Sequence, residues 1–162
     1  MLTAGMRAEY LAEKDCFMYD ICVTPADSLQ NIFDKAPEGA VISLLPGRYR
    51  QKAMIRTRGL TLVGQGPDKT EIVYDDYALK KDETGREYNT FRTWTLAVLA
   101  DNVTLRSLTV SNDALHPELK GQEVALSVYG DRFRMEDSVL RSTQDTLFLG
   151  PLPEDLTIRY VD

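Results

Sequence analysis

Shifted by 30 residues, the stretch LAVLADNVTLRSLTV (96–110) falls on LSVYGDRFRMEDSVL (126–140). Leu96 meets Leu126, Val98 meets Val128, Asp101 meets Asp131, Val103 meets Phe133, Leu105 meets Met135 and Val110 meets Leu140. Within each copy apolar and polar residues alternate, as Val103 and Leu105 do against Thr104 and Arg106, which is the period of a half-buried strand. A weaker third echo, Leu60-Thr61-Leu62, matches Val103-Thr104-Leu105. A repeat of this length that turns at Asp or Gly suits a solenoid, in which each coil stacks its inward side chains on those of the next. Dominant β-branched residues and a period of two disfavour a helical repeat. An antiparallel sandwich would also show short, evenly spaced strands. The Asn-Gly and Asp-Gly hairpin turns expected of it are absent between the strands, and the repeat favours an all-β solenoid, a parallel β-helix.

The flanking sequence agrees with that frame. One short helix is predicted early: Pro25-Ala26-Asp27-Ser28 supplies the cap, Leu29, Ile32, Phe33 and Ala36 fall at helical spacing, and Pro37-Glu38-Gly39 ends it. From Ala40 the pattern turns to short β-rich runs, AVISLLPGRY, GLTLVGQG and TEIVY among them. Two polar, irregular stretches interrupt them, DDYALKKDETGREYNTFRT (75–93) and NDALHPELKG (112–121). Loops as long as the first are usually functional or disordered. Both are expected on one side of the solenoid, as insertions in equivalent turns.

Composition narrows the partners. The 162 residues are 43% hydrophobic and 27% charged, as in an ordinary soluble domain, and the net charge is −6. Such a chain carries no electrostatic footprint for nucleic acid or an anionic membrane, although local charge can oppose the net. No apolar run approaches the length of a membrane span. Two cysteines, Cys16 and Cys22, and a single histidine, His116, do not make a structural zinc site. The cysteines read as free thiols of a reducing compartment, with a disulfide between them as the alternative. The first residues hold acids and no apolar signal core, so the expected location is cytoplasmic, with secretion after signal removal as the alternative.

Few residues advertise chemistry on their own. His116 precedes Pro117 in a polar loop and reads as a solvated surface histidine. Gly64-Gln65-Gly66 lacks the further glycine of a dinucleotide site and reads as a turn. Gln144-Asp145-Thr146-Leu147-Phe148 sets an acid beside an amide, directly after a matched strand and before an apolar run. Apolar walls raise a carboxyl pKa toward the range of a general acid, and carboxamides donate hydrogen bonds to a developing oxyanion. From these five residues alone a strand-edge Asx turn is the preferred reading.

Taken with GQEVALSVYGDR (121–132), the segment TQDTLFLGPLP (143–153) resembles pectinesterases, the pectin methylesterases, in order and spacing. NTFRTWTLAVLADNVTLRSLTVSND (89–113), LPGRYRQK (45–52) and LTLVGQG (60–66) extend the resemblance over roughly residues 24 to 153. It implies a right-handed parallel β-helix that hydrolyses methyl esters of galacturonan, polymeric or oligomeric, and releases methanol without metal or organic cofactor. In the family mechanism one aspartate attacks the ester carbonyl, and the QDTL aspartate protonates the leaving methoxide and then activates water. Asp145 takes that acid/base role. Gln122 and Gln144 shape the oxyanion site, and Thr90 matches a threonine near the substrate.

The chain departs from the pattern in three places. The family nucleophile stands in a VDFIFG-like motif about one coil after QDTL, followed by an arginine that holds it, and Tyr160-Val161-Asp162 only mimics its start. The alanine after the first glutamine is Glu123, and the aromatic before QDTL is Thr143. Residues 1–162 are therefore expected to form one β-helix domain cut short on its C-terminal side, with its open end coil a surface for self-association. Two functions follow: an esterase whose remaining coils come from elsewhere, or a non-catalytic β-helix that binds saccharides or partners. Pectate lyases and polygalacturonases share the fold but would need calcium-binding acids or a different acidic set.

Overall fold

The computed structural model describes residues 19–114 and 121–150. His116, the tail from Pro151 to Asp162, and Cys16 lie outside them. Strands come in chain order as β1 (Ile21–Val23), β2 (Val41–Leu44), β3 (Gly47–Arg50), β4 (Ala53–Ile55), β5 (Thr61–Val63), β6 (Thr70–Tyr74), β7 (Leu96–Val98), β8 (Thr104–Arg106), β9 (Thr109–Asn112), β10 (Leu126–Val128), β11 (Arg134–Glu136), β12 (Val139–Arg141) and β13 (Leu147–Leu149). They form three sheets, ordered β1-β2-β5-β8-β11, β3-β6-β9-β12 and β4-β7-β10-β13. Every pairing within them is parallel. Each coil thus visits the first, second and third sheet in turn, and the chain is a parallel β-helix.

The repeat is the register. Leu96 pairs with Leu126, Val98 with Val128, Leu105 with Met135 and Val110 with Leu140. The weaker echo is real too, because Leu62 pairs with Leu105. Leu96, Val98, Val103, Leu105, Leu126 and Val128 join one core cluster, with Phe133 and Met135 packed against it. A parallel ladder leaves no freedom here, since a one-residue slip would turn every one of these side chains outward. Coil stacking also explains the glycine of GDR. A Cβ on Gly130 would stand 2.0 Å from the Ala100 carbonyl oxygen of the coil below.

The predicted helix, α1 (Leu29–Lys35), covers the first coil. Ser28 caps it, its hydroxyl accepting from the Asn31 amide at 3.4 Å, and Leu29 and Phe33 are buried in the main core. The helix also closes an edge. Gln30 accepts from the Met54 amide at 2.8 Å and donates to the Met54 carbonyl at 3.1 Å, so one carboxamide pairs β4 where no further strand does. At the far end Leu147 and Leu149, in line with inward-facing Leu126 and Val128, are 47% and 67% exposed.

One expectation is corrected. Cys22 is disulfide-bonded rather than a free thiol. Its exposed position next to buried Val23 puts the sulfur on the outside of the first coil, away from the core that would have kept a thiol inert.

Candidate active site

The corner between the second and third sheets collects nearly everything that could do chemistry. In successive coils it is spanned by residues 51–52, 75–95, 113–125 and 142–146. Lys52 lies in the first of these corners, Thr90 in the second, Gln122 in the third, and Gln144 and Asp145 in the fourth. Adjacent coils are separated by one strand spacing, roughly 4.8 Å, so these residues climb one edge of the solenoid like steps. The 75–93 stretch is an insertion at this corner, as its sequence suggested, and the described ends of the 112–121 stretch stand at the same corner.

Gln122, Gln144 and Asp145 are all exposed, and Thr90 is half-buried. The Thr90 hydroxyl donates to Gln122 Oε1 at 3.4 Å. Behind them, Glu123 is fully buried. Its carboxylate Oε1 accepts from the Thr143 hydroxyl, and its backbone carbonyl accepts from Ser142 Oγ at 2.7 Å. Ser142 Oγ also reaches the Gln144 carbonyl at 3.0 Å. Glu123 and Thr143, the two smaller departures from the family pattern, thus meet each other and hold the segment that ends in Asp145. Asp145 has φ +46°, a left-handed conformation that Asp tolerates better than most residues. That conformation turns the chain into β13.

Beside these groups the outer face of the third sheet is apolar. Met54, Ala97, Ser127 and Phe148 form one row across four strands. Met54, Trp94, Ala97 and Val124 make a second buried cluster, with Leu99 and Phe148 against it. Phe148 meets Phe91 edge-on at 5.3 Å and lies 5.8 Å from Tyr129. This aromatic patch was missed in the sequence. Phe148 carried a signal, because it alternates with Leu147 and Leu149, whereas Trp94 stands at the spacing of inward Leu96 and Val98 and carried none.

The 75–95 corner is the most charged part of the site. Asp76 is 1% exposed and accepts from Lys52 Nζ at 2.6 Å and Lys80 Nζ at 2.5 Å. Burial holds Lys52 below the ordinary lysine range, with Asp76 opposing it. Burial pulls Lys80 down most strongly of any single cause, but the hydrogen bond to Asp76 together with the charges of Asp76, Tyr74 and Asp75 outweighs it, and the net shift is upward. At the crown, Asp82 accepts from the Thr84 hydroxyl and from the Thr84 and Arg86 amides, and Arg92 reaches it at 3.2 Å. The Thr84 hydroxyl is the largest cause holding its carboxyl down to about 2. Among the described residues no cluster of His, Cys, Asp and Glu has the makings of a metal site. An open depression lined by Lys80, Lys81, Asp82, Glu83, Thr84 and Tyr88 lies on this loop, and none of Gln122, Gln144 or Asp145 lines it.

Residues 20–151 match the family model for pectinesterases. The chain belongs to the pectinesterase family. A relative in that family, Pectinesterase 31 from Arabidopsis thaliana, is 31% identical over 132 residues, covering 75% of this chain and 41% of that protein. Pectin methylesterase PemA from Erwinia chrysanthemi superposes with a TM-score of 0.75 at 25% identity, covering 82% of this chain and 46% of that one. A pectin methylesterase variant solved in complex with a hexasaccharide gives the same TM-score and identity, covering 80% of this chain and 45% of that one. The chain thus spans less than half the length of these pectinesterases.

Proposed function

We propose that this chain carries the acid/base and oxyanion part of a pectinesterase site, acting on methyl esters of galacturonan. Asp145 protonates the departing methoxide and afterwards takes a proton from water. Gln122 and Gln144 offer carboxamide N–H groups to the carbonyl oxygen as it gains charge. Thr90 restrains Gln122, and Phe148 with its aromatic neighbours offers a flat apolar face for sugar rings. The observation that carries this reading is the stacking of the QEVAL and QDTLF corners in adjacent coils, with Thr90 hydrogen-bonded to the first glutamine. The pairing of an exposed carboxylate with two exposed carboxamides is the chemistry an acyl transfer needs besides a nucleophile.

The second reading is a saccharide-binding module without turnover. The aromatic patch favours it, because that surface needs no catalytic partner to hold a sugar. Methanol release from highly methylated pectin separates the two, measured on the chain of 162 residues and its Asp145→Asn variant. The chain alone is expected to bind a methyl-esterified hexagalacturonan and to release little methanol, because loss of one member of a catalytic unit typically costs several orders of magnitude. Robust turnover that survives Asp145→Asn would overturn the acid/base assignment. Absence of any binding would overturn both readings.

A further inference from the structure

Lys52 does something a solvated lysine does not. Its side chain is 21% exposed, and its ammonium donates at once to Asp76 Oδ2 at 2.6 Å and to the Arg92 carbonyl at 2.5 Å. Asp76 and Arg92 are the two stems of the long corner loop, so a single cation from the coil below clasps both. The ammonium also lies 4.4 Å from the Trp94 ring centroid and 5.0 Å from that of Tyr88, within reach of cation–π attraction. Asn112 secures the same stems from the coil above, its Nδ2 lying 2.8, 3.0 and 3.2 Å from the carbonyls of Asp76, Thr93 and Val124. From these stems the loop reaches the candidate site. The Ala78 amide donates to the Gln122 carbonyl at 2.9 Å, Thr90 donates to the Gln122 side chain, and Phe91 stands against Phe148.

Taking an ammonium out of water costs several kcal/mol unless its partners offset the loss. A loop that had only to be soluble would not need that arrangement. We propose that Lys52 is a positioning residue: its ammonium, shared between Asp76 and the Arg92 carbonyl, seats the 75–93 loop so that Thr90 and Phe91 stand against Gln122 and Phe148. Lys80, on the same carboxylate, reaches only one stem and is dispensable for this seating. The burial that holds Lys52 below the usual lysine range agrees with a cation committed to structure rather than to solvent. The consequence for saccharide binding rests on the function proposed above, whereas the seating itself does not.

The experiment uses the whole chain and its Lys52→Met, Lys52→Arg, Lys80→Met and Asp76→Asn variants. Amide hydrogen exchange is followed at Ala78 and Asn89, whose N–H groups bond Gln122 and Ala78, against amides of β5 and β8. Trp94, the only tryptophan, reports the clasp by fluorescence. Binding of a methyl-esterified hexagalacturonan is measured in parallel. Lys52→Met is expected to speed exchange at Ala78 and Asn89 about tenfold or more while β5 and β8 keep their protection, to shift Trp94 emission, and to weaken the hexasaccharide about tenfold. Lys52→Arg should recover part of each effect, and Lys80→Met should leave Ala78 protected. Unchanged exchange at Ala78 in both Lys52→Met and Asp76→Asn overturns the proposal. Loss of protection throughout β5 and β8 in both variants also overturns it, because Lys52 would then serve the whole fold. If Ala78 responds as expected but the parent chain ignores the hexasaccharide, the seating stands and the substrate reading falls.

Discussion

Glu123 and Thr143 show how a pattern can be broken twice and stay consistent. Each departs from the family sequence, and in the fold the Thr143 hydroxyl donates to the buried Glu123 carboxylate. A buried carboxylate that loses a donor bears a desolvation cost, so Glu123 draws support from Thr143. The single variants Glu123→Ala and Thr143→Ala should therefore be non-additive in thermal unfolding, with a coupling of about 1 kcal/mol or more in a double-mutant cycle. Additive effects would show that the pair is incidental. Tyr49 makes a related point in the core. Fully buried, its hydroxyl donates toward the carbonyls of Val23 and Leu45, and burial, helped by the charge of Asp27, pushes its pKa far above the usual 10.0. The folded state keeps this proton where the unfolded chain releases it, so the stability it contributes is full below pH 10 and is lost as pH rises further. Tyr49→Phe should lose about 1–2 kcal/mol at neutral pH and then fall less steeply than the parent above pH 10 in urea unfolding. Equal slopes would mean that another group sets the alkaline limit.

At the scale of elements, the helix and the corners divide the work. Helix α1 was legible because a cap, an apolar spacing and a breaker coincide within a dozen or so residues. Its second task was not, because Gln30 pairs with Met54 across a contact that no local pattern encodes. Gln30→Ala should cost about 1–3 kcal/mol by leaving the amide and carbonyl of Met54 unpaired at a sheet edge. Exchange of the Met54 amide should rise ahead of its neighbours in β7, and unchanged exchange there would refute the edge-pairing role. The loop at 75–93 shows the reverse. The sequence marked it as long and irregular, and therefore functional or disordered, yet offered no means of choosing Lys52 or Asp76 from among 19 basic and 25 acidic residues. That choice depends on which corner of the coil below lies beneath the two stems.

For the whole molecule, the exposed apolar rim of β13 is the main physical liability among the described residues. Leu147 and Leu149 continue the inward rows of the core and are largely exposed, beside half-buried Phe133, Met135 and Leu140 on the same coil. Exposed apolar side chains along strand edges favour self-association. Sedimentation should show concentration-dependent association of the chain, and Leu147→Glu with Leu149→Glu should return it to monomer, since inward charges blunt an edge. A parent chain that stays monomeric at every concentration would remove that expectation. The 30-residue repeat, with β-branched alternation and no hairpin turns between its strands, pointed to the architecture found, because in a parallel solenoid the sequence period is the register, and alternation decides which side chains face inward. The resemblance of the QEVAL and QDTLF motifs to pectinesterases is what singled out Gln122, Gln144 and Asp145 as candidates. Only the tertiary structure decided that four successive corners share one edge, that Thr90 reaches Gln122 across an insertion, that Glu123 pairs with Thr143, and that an aromatic patch lies beside them. These contacts join residues whose separation along the chain is set by corner lengths that differ from coil to coil. Stacking then brings together what no single period in the sequence aligns.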